Sequence, residues 1–478
     1  MGTKTSYRPI PYLPDAPVRR WLHPLQRFME IEQTSGVLLL ICTVAALAMS
    51  NSAWAETYVQ FWHTSVVLAI GSWRFEHTLE HLVNDGLMTL FFFVVGLEVK
   101  REMVLGELRM PRKAALPILA ALGGMIFPAA VYLFFEWGQP GERGWGIPMA
   151  TDIAFVIGFL SLLGTRVPAG LKIILLSLAI VDDIGAVVVI ALFYSATPDT
   201  VALAWGAMGL MLCVVFNRIG VRRLAIYFML GVLIWFAFLK SGIHPTIAGV
   251  ILGLLTPASA WVSDAELRAA IRDAQRKLDS AGGAAQQQAE LRWGLLEVTA
   301  REAVSPLERL ERGLHPWVAY GIMPLFALAN AGVPLNFGAG LEGVTLATAL
   351  GLLIGKPVGI FLLSWLAIRM GAAQLPSGVD NRIFFGAACL GGIGFTMALF
   401  IANLAFRGPL LDSAKIGVLA GSMASSVLGL VLLHLWLPRR GQSLAARRQG
   451  NTEHLDRSAA EPGEEMKRQR IEPQPAEK

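Results

Sequence analysis

Apolar runs, each about 18 to 25 residues long, recur along the chain between short polar or charged segments. A helix of that length crosses the ~30 Å hydrocarbon core of a bilayer. We count about twelve runs, with approximate centres at Cys42, Val95, Met125, Phe155, Asp182, Met208, Ile234, Val250, Leu325, Ile354, Gly394 and Gly429. The pattern predicts an all-α membrane protein with about twelve transmembrane helices in a domain of residues 35–438.

The segments between and outside these runs differ in kind. At residues 64–77, two strand-like runs flank Gly71 and Ser72, a pair typical of tight turns, and predict a small β-hairpin. Residues 258–306 are rich in Ala, Gln, Arg and Glu and predict a cytoplasmic loop. Residues 1–34 are predicted to be a cytoplasmic N-terminal segment, and the charged residues 439–478 a disordered cytoplasmic tail.

Composition and charge place the chain in the membrane and orient it. Charged residues make up 16% of the sequence, against about 25% in soluble domains. Cations gather in the loops on one side, which the positive-inside rule makes cytoplasmic, so both termini are expected inside and the hairpin in the periplasm. The net charge of +5 is then loop and tail charge and gives no reason to expect a nucleic-acid partner.

Two adjacent acids interrupt one apolar run at its middle. If the helix begins near Gly170, Asp182 lies ~18 Å along its axis, close to the bilayer midplane, where a single charge costs several kcal/mol. Asp182 and Asp183 also repel each other, which favours protonation of one of them. Because hard cations prefer carboxylate oxygen, we interpret the pair as a cation and proton site. The alternative is a pair of neutral acids buried in a helix contact.

A lysine lies equally deep in another run. Lys356 is in the middle of residues 343–368, too deep for its side chain to reach the surface easily. It therefore needs an anionic partner or must be neutral, and Asp182, Asp183 and Asp152 are the candidates of comparable depth. Lys356 is expected to compensate charge and could itself carry a proton, whereas a static salt bridge is the alternative.

Two further runs have irregular centres that predict broken helices. Thr151 and Asp152 follow a glycine and a proline that weaken the first helical turns, and residues 391–394 contain three glycines. Broken backbone at membrane depth occurs only where it lines a cavity or is packed in protein. Asp152 and Thr151 could bind a cation there, or Asp152 could compensate two half-helix N-termini or act as an ordinary helix cap. Close glycine packing is the alternative for residues 391–394.

The irregular runs occupy equivalent places in two groups of three. One trio has its centres at Met125, Phe155 and Asp182, and the other at Ile354, Gly394 and Gly429. Since each trio has three helices, the second enters the membrane from the opposite side. The fold predicted is therefore two inverted three-helix repeats whose broken helices cross near the midplane.

The motifs that carry these features resemble those of the NhaA sodium/proton antiporters over roughly residues 21–438, and inverted repeats are already known in that family. The motifs are Asn84–Glu102, Ala150–Phe155, Leu178–Ala186, Leu314–Tyr320, Gly355–Gly359 and Gly391–Met397. The resemblance implies a secondary active, electrogenic, pH-regulated exchanger that exports Na⁺ or Li⁺ against protons. It further implies the bacterial inner membrane and a role in sodium and pH homeostasis.

The same resemblance assigns roles to the deep residues. It implies that Asp183 is the principal cation ligand and proton carrier and that Asp182 pairs with Lys356. It places Asp152 and Thr151 at the crossing of the broken helices. Asp183, Asp182 and Thr151 are the expected ligands of the transported Na⁺ or Li⁺.

A second set of residues is implied in the pH response. By resemblance, Glu98, Arg101 and Glu102 belong to a cytoplasmic pH-responsive cluster that Glu311 faces, and His244 matches a position linked to the pH response. Glu98, Arg101 and Glu102 have the i, i+3, i+4 spacing of one helix face. The alternatives are a solvated face at a helix end and, for His244, an ordinary hydrogen-bonding histidine.

Three other functions are alternatives to exchange. A symporter of an organic solute would need an aromatic or amide-lined pocket, an intramembrane aspartyl protease would need aspartates on different helices, and a channel would conduct without saturable exchange. The chain is not expected to be an enzyme or to hold a cofactor. Cys42, Cys213 and Cys389 lack metal-site spacing and are interpreted as small apolar residues. Lipid surrounds the expected protein, and pairing of two hairpin edges predicts a homodimer.

Overall fold

The computed structural model describes residues 32–71, 73–195, 197–221, 223–279, 299–334 and 343–437, and these residues are mostly helical. The predicted N-terminal segment lies almost wholly, and the predicted tail wholly, outside the described residues. The elements before the first long loop are α1 (Glu32–Ser50), α2 (Ala55–Trp62), β1 (Ser65–Ile70), β2 (Trp73–Thr78), α3 (Leu79–Val104), α4 (Pro111–Glu136), α5 (Ile153–Leu162), α6 (Ala169–Phe193), α7 (Thr200–Ile219), α8 (Leu224–Ser241) and α9 (Thr246–Leu255). Those after it are α10 (Asp264–Asp279), α11 (Pro306–Trp317), α12 (Met323–Asn330), α13 (Val344–Arg369), α14 (Asn381–Gly391), α15 (Phe395–Ala405) and α16 (Pro409–Trp436).

Shorter helical turns connect or interrupt these elements. Residues Glu107–Arg109, Glu142–Met149 and Gly164–Arg166 form 3₁₀ turns. Wider π-turns occur at Leu82–Leu87 within α3, at Val318–Ile322 between α11 and α12, and at Gly351–Gly355 within α13.

The predicted helical membrane class is confirmed, but the count of spans differs from the prediction. Within the described residues, seven helices are long and apolar enough to cross a membrane, and up to ten spans result if each bent pair is one. The remaining predicted centres are Val250 and Leu325. Val250 lies in α9, which has only ten residues. Leu325 lies in α12, which has only eight residues, and the preceding helix α11 is charged. Neither α11 nor α12 is therefore long and apolar enough to count as a membrane span.

Both predicted broken helices are present. The segments Glu142–Met149 and α5 meet at 42°, and α14 and α15 meet at 43°. Each bent pair is the middle member of a predicted trio: α4 and α6 flank the first, and α13 and α16 flank the second. Helix α4 packs along both α6 and α13, and α15 packs against Glu142–Met149, so the two breaks come together in the core. The inverted relation of the trios stays a prediction.

The other helices support this core from outside the trios. Helix α9 packs along α3 so closely that a methyl group on Gly96 would lie 2.6 Å from the Val250 carbonyl oxygen. Helix α1 packs against α12 and α5, and α7 packs on α8. The core is therefore formed by close helix-to-helix contact at small residues, which is how helices associate in lipid.

The predicted hairpin is confirmed as an antiparallel pair. Strands β1 and β2 pair from Ser65 with Thr78 to Ile70 with Trp73, and Gly71 has a φ of 63°, which a glycine adopts without strain. The segment predicted as a loop at residues 258–306 instead contains the helix α10. Residues 280–298 of that loop lie outside the described residues.

Candidate functional site

The two breaks cross through direct hydrogen bonds. The backbone N–H of Asp152 donates to the carbonyl of Ile393 at 2.7 Å, and the Thr151 hydroxyl donates to the carbonyl of Gly391 at 3.1 Å. The approach is close, since a methyl group on Gly394 would lie 3.0 Å from the Ala150 carbonyl oxygen. The predicted break and the alternative of close glycine packing are therefore both present at residues 391–394.

Asp152 holds the N-terminal ends of two half-helices. Its carboxylate accepts the N–H of Phe155 in α5 at 3.2 Å and the N–H of Thr396 in α15 at 3.0 Å, together with the Thr396 hydroxyl. Each helix start carries a partial positive charge. The buried carboxylate thus faces both helix starts, as one of the alternatives for Asp152 anticipated, and its two oxygens already have donors.

Lys356 forms a buried ion pair with Asp182. The lysine Nζ lies 2.7 Å from Asp182 Oδ2, and the side chains are 0% and 1% exposed. Nζ also donates to the carbonyl of Met149, the last residue before the first break. A broken helix leaves such carbonyls without intrahelical partners, so Lys356 connects this backbone end to the acid on α6.

Asp183 is left with unused hydrogen-bonding capacity. It is 2% exposed, and within the described residues neither Asp183 Oδ1 nor Asp182 Oδ1 has a hydrogen-bond partner. A buried carboxylate oxygen without a donor is costly unless it is protonated or binds a cation. The pair therefore offers a place where a proton and a hard cation compete for carboxylate oxygen.

The described part of the chain shows no cluster of three or more His, Cys, Asp or Glu side chains arranged to hold a metal ion. The carboxylates and the Thr151 hydroxyl supply oxygen atoms at the crossing, as do the Thr396 and Ser422 hydroxyls and the backbone carbonyls near the breaks.

The predicted pH-responsive residues at one end of α3 do lie together. Arg101 pairs with Glu311 at 2.5 Å, and Glu102 accepts the Ser177 hydroxyl of α6 at 3.2 Å. Glu98 is half-buried and close enough to interact electrostatically with Glu311 and Asp183. Burial raises the pKa of the Glu311 carboxyl, and the Arg101 guanidinium opposes that shift.

His244 lies away from this cluster, at the other end of α3. Its Nε2 is 3.6 Å from Asp85 Oδ1, and its Nδ1 is 2.8 Å from the Thr246 hydroxyl. Asp85 and Arg101 are sixteen positions apart in one helix, which is ~24 Å along the axis. The predicted pH-sensing set is thus divided between opposite ends of the molecule.

Sequence reasoning missed two serines that support the site. The Ser422 hydroxyl of α16 accepts the N–H groups of Gly394 and Phe395, both at 3.2 Å, and so caps α15. Ser177 joins α6 to Glu102. Both are polar residues within apolar helices, which is a signal, but the sequence does not show which distant group each would meet.

A multi-pass helical protein with buried charges where two broken helices cross has the architecture of a secondary ion transporter. The sequence profile described as Na+/H+ antiporter 1 matches residues 26–433. The chain therefore belongs to the Na⁺/H⁺ antiporter 1 family.

Similar proteins cover nearly the whole chain. It is 51% identical to the Na(+)/H(+) antiporter NhaA of Rhodopirellula baltica, over 89% of this chain and 97% of that protein. It is 48% identical to the Na(+)/H(+) antiporter NhaA 3 of Acidiphilium cryptum, over 92% and 97%. It is 47% identical to the Na(+)/H(+) antiporter NhaA of Rhizobium meliloti, over 88% and 97%.

Proposed function

We propose that this chain is a secondary active antiporter that exports Na⁺, and also Li⁺, in exchange for protons across a bacterial inner membrane. The observation that carries the proposal is the unpartnered, buried oxygen of Asp183 beside the Asp182–Lys356 ion pair. Proton and cation each satisfy the same oxygen, so the occupancy of one excludes the other. Asp183 is the principal ligand and proton carrier, with Asp182, Thr151 and Asp152 as further oxygen donors.

Net charge movement follows from the same groups. If Na⁺ binding releases one proton from Asp183 and a second from the Asp182–Lys356 pair, each cycle moves more protons than sodium ions. Exchange is then electrogenic and responds to membrane voltage. At low pH, protons hold the carboxylates and exchange slows, so the protein serves sodium and pH homeostasis in alkaline or salty conditions.

The direct test uses everted membrane vesicles from cells that express the chain. A respiration-driven pH gradient quenches a fluorescent amine dye, and addition of NaCl or LiCl should dequench it, whereas choline chloride should not. With K⁺ and valinomycin clamping the voltage, the initial rate should change with the imposed potential. The assay is repeated from about pH 6 to about pH 9, a range that includes the ordinary pKa values of histidine and cysteine. The absence of a sodium response at every pH would reject the proposal.

We propose the orientation and domain organisation from the loop charges. Both termini and residues 258–306 lie in the cytoplasm, and the hairpin lies in the periplasm. Residues 35–438 form the transmembrane domain. A reporter protein fused after residue 438 should be active if it is of a type that works only in the cytoplasm. A reporter that works only in the periplasm should be inactive at the same position.

The hairpin is proposed to join two copies of the chain. Strands β1 and β2 form a sheet of two strands within the described residues, and such a sheet has an unpaired outer edge on each side. Val67 on β1 is 44% exposed. Pairing of two hairpins about a two-fold axis would satisfy one edge of each.

Deletion of residues 66–75 tests this contact. The shortened protein should elute as a monomer in detergent, measured by light scattering, and should retain sodium-dependent dequenching because no deep charge is touched. A dimer that survives the deletion would count against the hairpin as the contact.

A further inference from the structure

Three asparagines from three helices form a hydrogen-bonded cluster away from the ion site, and we refer to Asn84, Asn330 and Asn403 as the amide triad. Asn84 and Asn330 donate to each other's carbonyl oxygens at 3.1 and 2.8 Å, and Asn403 donates to the Asn330 oxygen at 2.8 Å. Asn330 is 0% and Asn403 5% exposed. Buried amide networks of this kind are costly when a member is removed, because the others lose their partners.

Two members of the amide triad belong to helices outside the trios. Asn84 lies in the π-turn of α3, five residues after the hairpin-side start of that helix, and Asn330 ends α12. The end of α12 is held firmly, because the Tyr58 hydroxyl donates to the Leu328 carbonyl at 2.6 Å and the Asn51 amide donates to the Val333 carbonyl at 2.8 Å. Asn330 is therefore an anchored acceptor.

The third member connects the amide triad to the ion site. Asn403 lies in α15, seven residues after Thr396, which holds Asp152 at the crossing. Seven residues place both side chains on the same face of the helix, ~10 Å apart along the axis. Every residue of α15 from Phe395 to Asn403 is buried. One end of α15 is thus fastened to the crossing and the other to helices outside the trios.

We propose that the amide triad is a latch that keeps the hairpin side of the site closed in this conformation and that must part in each transport cycle. The inference rests on the proposed antiport, because alternating access requires the repeats to move against the rest of the protein around the site. Asn403 is then a positioning residue for transport. It acts through α15 and does not touch the ion.

Reversible cross-linking separates a latch from a purely structural contact. In a background with Cys42, Cys213 and Cys389 replaced by Ala, Asn330→Cys and Asn403→Cys are combined and treated with a short bis-methanethiosulfonate linker. Linking should reduce sodium-driven proton flux in proteoliposomes to that of empty liposomes, and a reducing agent should restore it. The matched control combines Asn84→Cys and Asn330→Cys, which joins two helices outside the trios, so adding the linker should leave its flux equal to that of the same double variant without linker.

Each outcome bears on the latch. Mass spectrometry follows linkage, and isothermal titration calorimetry follows Na⁺ binding, which the linked protein should keep because the ion site is untouched. A linked Asn330–Asn403 pair that still exchanges at the unlinked rate overturns the proposal, as does a pair that never links. Lack of exchange by the wild-type chain itself would instead reject the antiport function, and the cross-linking and binding results would remain measurable.

A second variant addresses loss of folding in the paired cysteines. Asn403→Ala weakens the conformation closed on the hairpin side, so the apparent KM for Na⁺ presented from the opposite side should rise about tenfold while kcat changes little. Asn403→Ser keeps a donor for Asn330 and should recover part of that rise. Equal KM values for Asn403→Ala and wild type would overturn the latch.

Discussion

Asp152 and Asp183 are both buried carboxylates of the same core, yet their surroundings differ in one decisive respect. Asp152 meets the backbone donors of two helix starts and a threonine hydroxyl. Within the described residues, Asp183 Oδ1 meets no donor at all. Hydrogen-bond donors of the protein therefore satisfy Asp152 at the crossing. In the middle of α6, by contrast, Asp183 keeps a carboxylate oxygen that none of the described residues satisfies.

The two surroundings suit two different roles for a buried carboxylate. A carboxylate that stabilises helix ends must keep its charge, because a proton would remove the attraction to both N-termini. A carboxylate that exchanges ions must instead be able to change partners at small cost. Asp182 lies between these cases, with one oxygen bound to Lys356 and the other unpartnered.

The largest effect is expected at Asp183. Asp183→Asn removes the group proposed to alternate between proton and sodium, so sodium-dependent dequenching should fall to the level of vesicles without the protein. The amide is nearly isosteric, so expression and the melting temperature in detergent should stay close to wild type.

Two further variants serve as controls for Asp183→Asn. Asp152→Asn keeps an acceptor oxygen for the helix starts and should retain measurable exchange with a lower melting temperature. Asp199→Asn alters an exposed acid that caps α7, and asparagine caps equally well, so it should change neither. Sodium-driven flux that persists in Asp183→Asn would refute the role of Asp183.

Substitution of Lys356 should reduce both the exchange rate and the stability of the protein. Lys356→Ala leaves Asp182 buried without its cation, at a cost of about 3–5 kcal/mol, and it also frees the Met149 carbonyl. The melting temperature in detergent and the dequenching rate should both fall. Adding Asp182→Asn removes the stranded charge and should recover part of the melting temperature without recovering exchange.

A surface lysine provides the matched control. Lys113 pairs with Glu107 at 3.1 Å, but its side chain is about half exposed, and such pairs contribute about 0–1 kcal/mol. Lys113→Ala should leave the melting temperature nearly unchanged. An equally small change in Lys356→Ala would show that the buried pair contributes little to stability.

Much of the fold could be predicted because membranes restrict the possibilities. Apolar run length gave the helical class, glycine and proline gave both breaks, and the Gly71 turn gave the hairpin. The number of spans could not be fixed in the same way. Helices α9 and α12 are short, and the place of α9 beside α3 depends on packing at residues such as Gly96, which hydropathy does not measure.

The candidate site was predictable in its charges and not in its contacts. Depth alone indicated that Lys356 is neutral or has an anionic partner, with three aspartates as candidates. The resemblance implied Asp182, and Lys356 does contact Asp182 in the structure. The helix cap by Ser422, the Ser177–Glu102 contact and the amide triad each join residues more than 25 positions apart. Common polar residues in apolar helices do not reveal such partners.

The smallest expected effect concerns the steepness of the pH response. If protons compete with sodium at Asp183 as proposed, every variant that still exchanges should slow at low pH. Glu98 and Glu102 lie close to the Arg101–Glu311 ion pair at the end of α3. They also lie close to α6, the helix that carries Asp183. A change in their charge can bias the position of α6, and so adds a second dependence on pH.

Glu98→Gln combined with Glu102→Gln separates the two contributions. A glutamine at 102 can still accept the Ser177 hydroxyl and the Glu107 N–H, which now bond Glu102 at 3.2 and 2.9 Å, so charge is removed while these contacts are kept. The exchange rate against pH should become shallower at saturating sodium, where competition at Asp183 is weakest. Glu107→Gln, on the adjacent surface, should leave the profile unchanged. If the double variant overlays wild type at both low and saturating sodium, competition at Asp183 accounts for the whole pH response and the cluster is no sensor.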